Sequence, residues 1–244
     1  MVNQEMFKSK RINTLTVSTV CLLLTLFQYS CQTNAPSKRI TIASSGKVNS
    51  LDPARANTLK ALQLISSLGD TLYELDNDGE LIPKLASKMP VISKDKLKIS
   101  ISLKKNILFH DGTPFDSKAM KFTIERFQRI GTNNYILDKK IKSIETPNKN
   151  TLIINLNKPA SSLEGLLTSV NLTAISPSFY KNHIDKFLNN NFVGTGQYVL
   201  KSFSNEVQIL DPNLNYWNFR PKNQGINFVG YSNSTSLYLS LIHI

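Results

Sequence analysis

The run Leu97–Phe127, LKISISLKKNILFHDGTPFDSKAMKFTIERF, decides how the chain is read. Leu97, Ile99, Ile101 and Leu103 alternate with Lys98, Ser100 and Ser102, the period of two of a strand with one buried face. His110-Asp111-Gly112-Thr113-Pro114 then gathers turn formers. Asp116 is placed to cap a helix, its carboxylate accepting from free N–H groups of the first turn. Ala119, Met120, Thr123, Ile124, Phe127 and Ile130 follow at helical spacing and form one apolar face. The run is therefore strand, tight turn and capped helix.

Similar units lie on both sides. Arg39–Ala43 is a first strand, and a loop from Ser44 to Asp52 follows it. Asn57 or Thr58 caps a helix whose face carries Leu59, Leu62, Ile65 and Leu68. Leu72–Leu75 and Leu81–Ala86 flank the turn Asn77-Asp78-Gly79. Ile141–Glu145 and Leu152–Leu156 form a hairpin around Asn148-Lys149-Asn150. Ser161 or Ser162 caps a short helix through Leu163, Leu166 and Leu167. Ala174–Ser176 is expected to be a strand leading into a helix from Pro177 to Asn182, where proline loses no needed N–H. Gly194 and Gly196 around Thr195 permit a sharp turn through positive φ. Val199–Phe203 and Val207–Leu210 then pair, and a helix begins near Ser234.

Composition sets the class. The 244 residues are 41% hydrophobic and 9% aromatic, enough for one large or two small cores and too apolar for a disordered chain. The net charge of +12 invites a nucleic-acid reading, but the lysines are scattered and form no run, so a solvated basic surface is the reading and no nucleic-acid partner is expected. Lys8, Lys10 and Arg11 precede an uncharged stretch, Ile12–Ser30, whose apolar centre Val17–Phe27 has the length of a signal-peptide core. Ser30-Cys31 after such a core resembles the bacterial lipobox, although Gln28 and Tyr29 replace the usual aliphatic and small residues. Residues 1–30 are thus expected to be a lipoprotein-type signal peptide, Cys31 its lipidation site, and 31–38 a tether. Ordinary cleavage and an uncleaved anchor are the alternatives, and each puts the body outside the cytoplasm. Cys21 and Cys31 both lie here, so the body has no thiol.

Several segments together resemble one family, the solute-binding proteins of bacterial peptide and nickel ABC importers (solute-binding protein family 5). FHDGTPF and the helix after it match a shared F-x-D-G-x-P-F segment. Ser50-Leu51-Asp52-Pro53-Ala54, then DTLYELDNDGELIPKLA, Lys158-Pro159, Phe192–Tyr198 with its Gly-Thr-Gly, and Asn213-Leu214-Asn215-Tyr216-Trp217 follow in the family's order. Gln197 and Phe192 replace two usual prolines. The resemblance implies an α/β, type II periplasmic-binding-protein-like lobe, a mixed sheet flanked by helices, over residues 39–244. It covers only the first half of the family's fold, so the chain is expected to be truncated before the second lobe, with an exposed apolar surface where that lobe sits. It implies a peptide ligand held in a cleft, ABC permease and ATPase partners, no cofactor and no enzymatic activity. It points to Val48, Asn49, Ser50 and Leu51 in the loop after the first strand, and to Thr168, Ser169 and Asn171 in the segment Thr168–Asn171 before a strand at Thr173, as ligand-contacting residues.

Other chemistry is weaker. Ser44-x-x-Lys47 and Ser178-x-x-Lys181 fit the S-x-x-K nucleophile pattern, but no S-D-N or K-T-G follows. Gly194-Thr195-Gly196 lacks the third glycine of a dinucleotide loop and precedes a strand. His110, His183 and His243 are too far apart to give metal-ligand spacing. Tyr216-Trp217 is either a stacking platform or core packing. A nickel-chelate binder of the same family and a lipid-anchored cell-wall serine acyl enzyme remain the competing readings.

Overall fold

The computed structural model describes residues 39–244 apart from 49, 138, 160–162 and 243–244. The signal peptide, Cys31, the tether and the Ser161/Ser162 cap lie outside the described residues. Two sheets divide the fold. The first is built from opposite ends of the chain: β1 (Ile40–Ser45) pairs in parallel with β10 (Ile226–Tyr231), Ile40 opposite Ile226. β10 pairs antiparallel with β9 (Val207–Pro212), and β9 with β8 (Tyr198–Phe203), giving the order β1-β10-β9-β8. Everything between β1 and β8 is an insertion. It holds a hairpin of β2 (Tyr73–Leu75) and β3 (Leu81–Pro83), and an antiparallel sheet ordered β4 (Val91–Ile92), β5 (Lys98–Ser102), β7 (Thr151–Leu156), β6 (Ile141–Asn148).

Each sheet has its helix and its core. α1 (Leu59–Leu68) and α2 (Ser117–Ile130) are the two long helices of the insertion. Thr58 caps α1, its hydroxyl accepting from Ala61 N, and Asp116 caps α2, accepting from Ala119 N at 3.0 Å. α2 lays Ala119, Met120, Ile124 and Phe127 onto Ile99, Ile101, Leu152 and Ile154. Burying each large aliphatic side chain contributes about 1.5–3 kcal/mol. Thr123 also faces inward; its hydroxyl donates to Ala119 O at 3.1 Å and accepts from Ile175 N at 3.2 Å, so the buried polar group is satisfied. The other core joins α1 to Leu210, Ile226 and Phe228 of the first sheet. Short helices α3 (Leu163–Leu166) and α4 (Pro177–Tyr180) and a last helix α5 (Ser234–Ile242) complete the set.

Three local expectations change. The buried stripe of α1 is Ala61, Leu64, Ile65 and Leu68, while Leu59 is 74% exposed. Two overlapping stripes exist at helical spacing, and the one with more apolar positions in the second half turns inward. Ala174–Ser176 is extended without joining a sheet; its N–H groups serve single carbonyls, Ala174 N to Asp70 O and Ser176 N to Val193 O. Gly194 and Gly196 do not have positive φ. Glycine is needed at 196 because a Cβ there would meet Leu68 C at 2.3 Å and Gly69 N at 2.4 Å. The chain runs backbone against backbone across the end of α1, held by Gly196 N to Leu68 O at 3.0 Å.

Candidate functional site

The loop after β1 turns at Gly46, φ +88°, and dives into the core. Val48, Ser50 and Leu51 have no exposed surface, so these three candidates for ligand contact are enclosed in this structure; Asn49 lies outside the described residues. The physical reason is that Val48 and Leu51 close the core beneath α1, while Leu51 N donates to Asn189 O at 2.7 Å. Thr168 and Ser169 are half-buried ahead of a 3-10 turn at Val170–Leu172, and the Thr168 hydroxyl donates to Gly165 O. Asn171 Nδ2 reaches across to Pro53 O at 2.6 Å and Ala56 O at 2.9 Å. Asn171 thus ties its segment to the Pro53–Ala56 turn, just past the first candidate segment.

Asp52, the acidic residue of the Leu-Asp-Pro run, anchors this loop. Its Oδ1 accepts from Arg126 Nη1 at 2.9 Å and Ala54 N at 3.0 Å; its Oδ2 accepts from Arg126 Nη2 at 2.6 Å and Leu188 N at 2.8 Å. Arg126 also donates to Lys186 O at 2.8 Å and lies over the Tyr180 ring. Both charged side chains are almost completely buried. Burial, and then the Asp52 charge, pushes the Tyr180 phenol far above its usual range. Nothing in the spacing of α2 marks Arg126 as buried, because it sits between Ile124 and Phe127 at the margin of the apolar face.

A second buried carboxylate, Asp70, ties the end of α1 to the carboxyl half of the chain. It accepts from Thr195 Oγ1 at 2.9 Å, Tyr216 OH at 3.2 Å and Trp217 Nε1 at 3.0 Å. Lys84 Nζ lies 3.4 Å from Asp70 and 3.0 Å from Glu74. Burial opposes the Lys84 charge, but the two carboxylates outweigh it and raise its pKa. Tyr216-Trp217 is thus core packing with a polar tether. Asp111 is the third hub: Ser176 and Ser178 hydroxyls donate to its Oδ2 at 2.5 and 2.7 Å, and Thr113 Oγ1 to its Oδ1 at 2.5 Å. His110 N donates to Gly194 O at 2.8 Å, and its ring Nε2 lies 3.2 Å from Gly196 O. So the FHDG turn and the Gly-Thr-Gly run, read separately in the sequence, form one contact.

These hubs have no catalytic arrangement. Ser178 is engaged with Asp111, and Lys47 with Glu206 Oε1 at 2.6 Å. Among the described residues no group of His, Cys, Asp or Glu is placed to hold a metal. Burial opposes ionisation of Asp111, yet the Ser176, Ser178 and Thr113 donors prevail and hold its pKa below the ordinary 3.8. A carboxyl depressed in the folded state stabilises fully above its unfolded value and stops doing so as pH falls through the folded one. The stability gap between the wild type and Asp111→Asn is therefore expected to be constant at neutral pH and to close below about pH 4 in urea titrations. A gap unchanged down to pH 2 would contradict this account of the turn.

One group stands apart, at the carboxyl ends of the parallel strands β1 and β10. Lys60, on the first turn of α1, is only 9% exposed, and its Nζ donates to Gly46 O at 2.8 Å. Burial lowers its pKa. Glycine is needed at 230 because a Cβ there would meet the backbone Gly46 O at 2.5 Å, with Lys60 Nζ at 2.6 Å beside it. The Lys47–Glu206 pair flanks this corner from the solvent side. In open α/β sheets the carboxyl ends of strands are where ligands bind. Two surface hollows of about 430 and 570 Å³ share Lys105, Asn106 and Ile107, but none of the candidate residues lines either. They lie over the inserted sheet's loops.

Comparisons with known proteins agree with this architecture. Residues 80–243 match the sequence profile of the bacterial extracellular solute-binding proteins, family 5 Middle. Over 217 residues the chain is 28% identical to the "Probable D,D-dipeptide-binding periplasmic protein" of Escherichia coli, covering 84% of this chain and 42% of that protein. NikZ from Campylobacter jejuni, solved with Ni(L-His), superposes with a TM-score of 0.76 at 24% identity, over 85% of this chain and 42% of its own. Listeria monocytogenes OppA bound to peptide gives 0.75 at 21% identity, over 86% and 46%. The chain thus spans less than half the length of these relatives, and its α/β fold is the one they share.

Proposed function

We propose that this chain, which belongs to the bacterial extracellular solute-binding proteins of family 5, is part of the substrate-binding component of an ABC importer for di- and oligopeptides. It takes ligand outside the cytoplasm and passes it unchanged to a membrane permease driven by its ATPase. The supporting observation is the sheet that joins β1 to β8, β9 and β10, which places loop Gly46–Asp52 and Lys60 together at one end of a parallel strand pair. Peptide main chain is polar and the same in every sequence, so a site reading backbone and termini accepts many peptides. Closure of a second lobe over the site is the signal to the permease: a ligand that favours the closed form shifts the population and no bond is broken. Ile40 and Ile42 on edge strand β1, 49% and 38% exposed, belong to the surface such a lobe covers. Asn49, Thr168, Ser169 and Asn171 are the ligand contacts; Val48, Ser50 and Leu51 reach ligand only if the loop opens. Residues 1–30 address the chain for export, Cys31 carries a lipid anchor and 31–38 is the tether. Among the described residues no helix is long and apolar enough to cross a membrane. The chain acts without enzymatic chemistry or cofactor.

Nickel chelates are the second reading, favoured by the likeness to NikZ with Ni(L-His). Calorimetric titration of the chain with a pool of di- and oligopeptides, and separately with nickel–histidine, separates them. Heat and a raised unfolding temperature with peptides alone are expected. A response to nickel–histidine alone would replace the peptide reading, and silence with both would overturn it. Covalent labelling by a fluorescent β-lactam would instead favour the serine acyl enzyme.

A further inference from the structure

We propose that the pair of hollows sharing the Lys105-Asn106-Ile107 turn is a docking surface for an extended acidic segment of a partner protein. The hollows, of about 430 and 570 Å³, have this turn as a common wall. Their lining is apolar in part: Ile107 and Phe115 are buried beneath it, and Leu108 is 41% exposed. Their rim is basic. Lys105 lines both hollows, Lys149 the first and Lys104 the second. Among the described residues none of these three lysines has a carboxylate within ion-pair distance. The acids nearby are taken: Asp116 caps α2, accepting from Ala119 N at 3.0 Å, while Asp70 and Glu74 pair with Lys84. Trp217 forms part of the second hollow. Its indole N–H is fixed to Asp70 at 3.0 Å, and Lys104 Nζ lies 4.4 Å from the ring centroid. A held aromatic ring beside unpaired cations complements a segment that carries both apolar side chains and carboxylates.

The backbone is the reason to choose peptide. Ile107 O accepts from Phe115 N at 2.9 Å and Phe109 N donates to Thr113 O at 2.8 Å, around an antiparallel bridge of Leu108 with Pro114. In a pair of this kind the central residues turn their own N–H and C=O away from each other. Leu108 therefore directs both groups outward, and among the described residues neither has a hydrogen-bond partner. An open backbone edge accepts an added strand, whose main chain supplies affinity and whose alternate side chains supply specificity. One set of side chains then meets the lysines and the other the apolar lining. A lipid headgroup has no use for an N–H and C=O pair, so charge and edge together favour an acidic peptide strand. The inference rests on the hollows and not on the function proposed above.

Trp217, the sole tryptophan, lines the second hollow and serves as the probe. The full chain is titrated with acetyl-Glu-Val-Glu-Val-Glu-Val-Glu-amide, whose capped ends carry no terminal charge. A saturable change in Trp217 emission is expected, weakened at least tenfold when Gln replaces every Glu or when alternate backbone nitrogens of the peptide are methylated. Lys105 and Lys149 are exposed, and the variant Lys105→Glu with Lys149→Glu is expected to lose at least tenfold in affinity with an unchanged circular dichroism spectrum. No response to the acidic peptide overturns the surface. Equal binding of the Gln peptide overturns the role of the lysines, and equal binding of the methylated peptide overturns the added strand. A response to phosphatidylglycerol vesicles and none to the peptide puts a lipid surface there instead, and a concentration-dependent dimer that the double variant dissolves puts a second copy there; either overturns the proposal. Saturating Ala-Ala is expected to leave the titration unchanged. If Ala-Ala displaces the capped peptide, the hollows are the site of the transported ligand and this second surface fails while the proposed function stands. If the capped peptide binds but no di- or oligopeptide pool gives heat elsewhere on the chain, the surface stands and the proposed function fails.

Discussion

Arg126→Met is expected to lower the unfolding free energy by about 3–5 kcal/mol, because it leaves the Asp52 carboxylate buried without its cation. The four contacts to Asp52 come from three parts of the chain: its own loop through Ala54, helix α2 through Arg126, and the segment after α4 through Leu188. Removing the guanidinium also frees Lys186 O and uncovers the Tyr180 ring. For a chain of this size the loss corresponds to a fall in melting temperature of roughly 10 °C. Asp52→Leu should cost a similar amount by stranding Arg126. The double replacement Asp52→Leu with Arg126→Met should be less damaging than either single change, since no charge remains to be desolvated. Urea unfolding of the four proteins gives the cycle. Additive losses would mean that the pair does not act as a buried unit.

Asp70→Ala is the other large effect, about 2–4 kcal/mol. Its loss leaves the buried Thr195 and Tyr216 hydroxyls and the half-buried Trp217 indole N–H without their acceptor; a buried donor costs about 1–3 kcal/mol when unsatisfied, though not additively. Trp217 is the sole tryptophan, so its fluorescence reports this hub alone. The emission of Asp70→Ala is expected to shift to the red under native conditions as the indole gains water. The Lys84 pKa is expected to fall toward the value set by burial once the Asp70 charge is gone. An unshifted emission with unchanged stability would show that Asp70 does not tether the Tyr216-Trp217 segment.

Much of the fold was legible because local signals agreed with one another. The alternation of Ile99 and Ile101, the Asp116 cap and the stripe Ala119–Phe127 each fixed the same strand-turn-helix unit, and all appear in the structure. The Gly79 turn behaved likewise, with φ +83° between β2 and β3. Long-range pairing was not legible. That β1 lies beside β10, 186 residues away in register, depends on tertiary packing that periodicity does not record. The hubs were hidden for a related reason. Asp52, Asp70 and Asp111 read as ordinary loop acids, and only the fold brings Arg126, Trp217 and Ser176 to them. The Gly-Thr-Gly run was assigned to a turn by its composition, whereas it is glycine for close approach to the end of α1. The loop after β1 stands out by resemblance, but its apolar Val48 and Leu51 turn inward.

The central claim is that this chain grips peptides and releases them unaltered. Equilibrium dialysis against a defined mixture of di- and oligopeptides, followed by mass spectrometry of what the protein retains, tests it most directly. The account predicts enrichment of many peptides of differing side chains, each recovered at its starting mass. Retention of none, or recovery of cleaved or modified products, would contradict it.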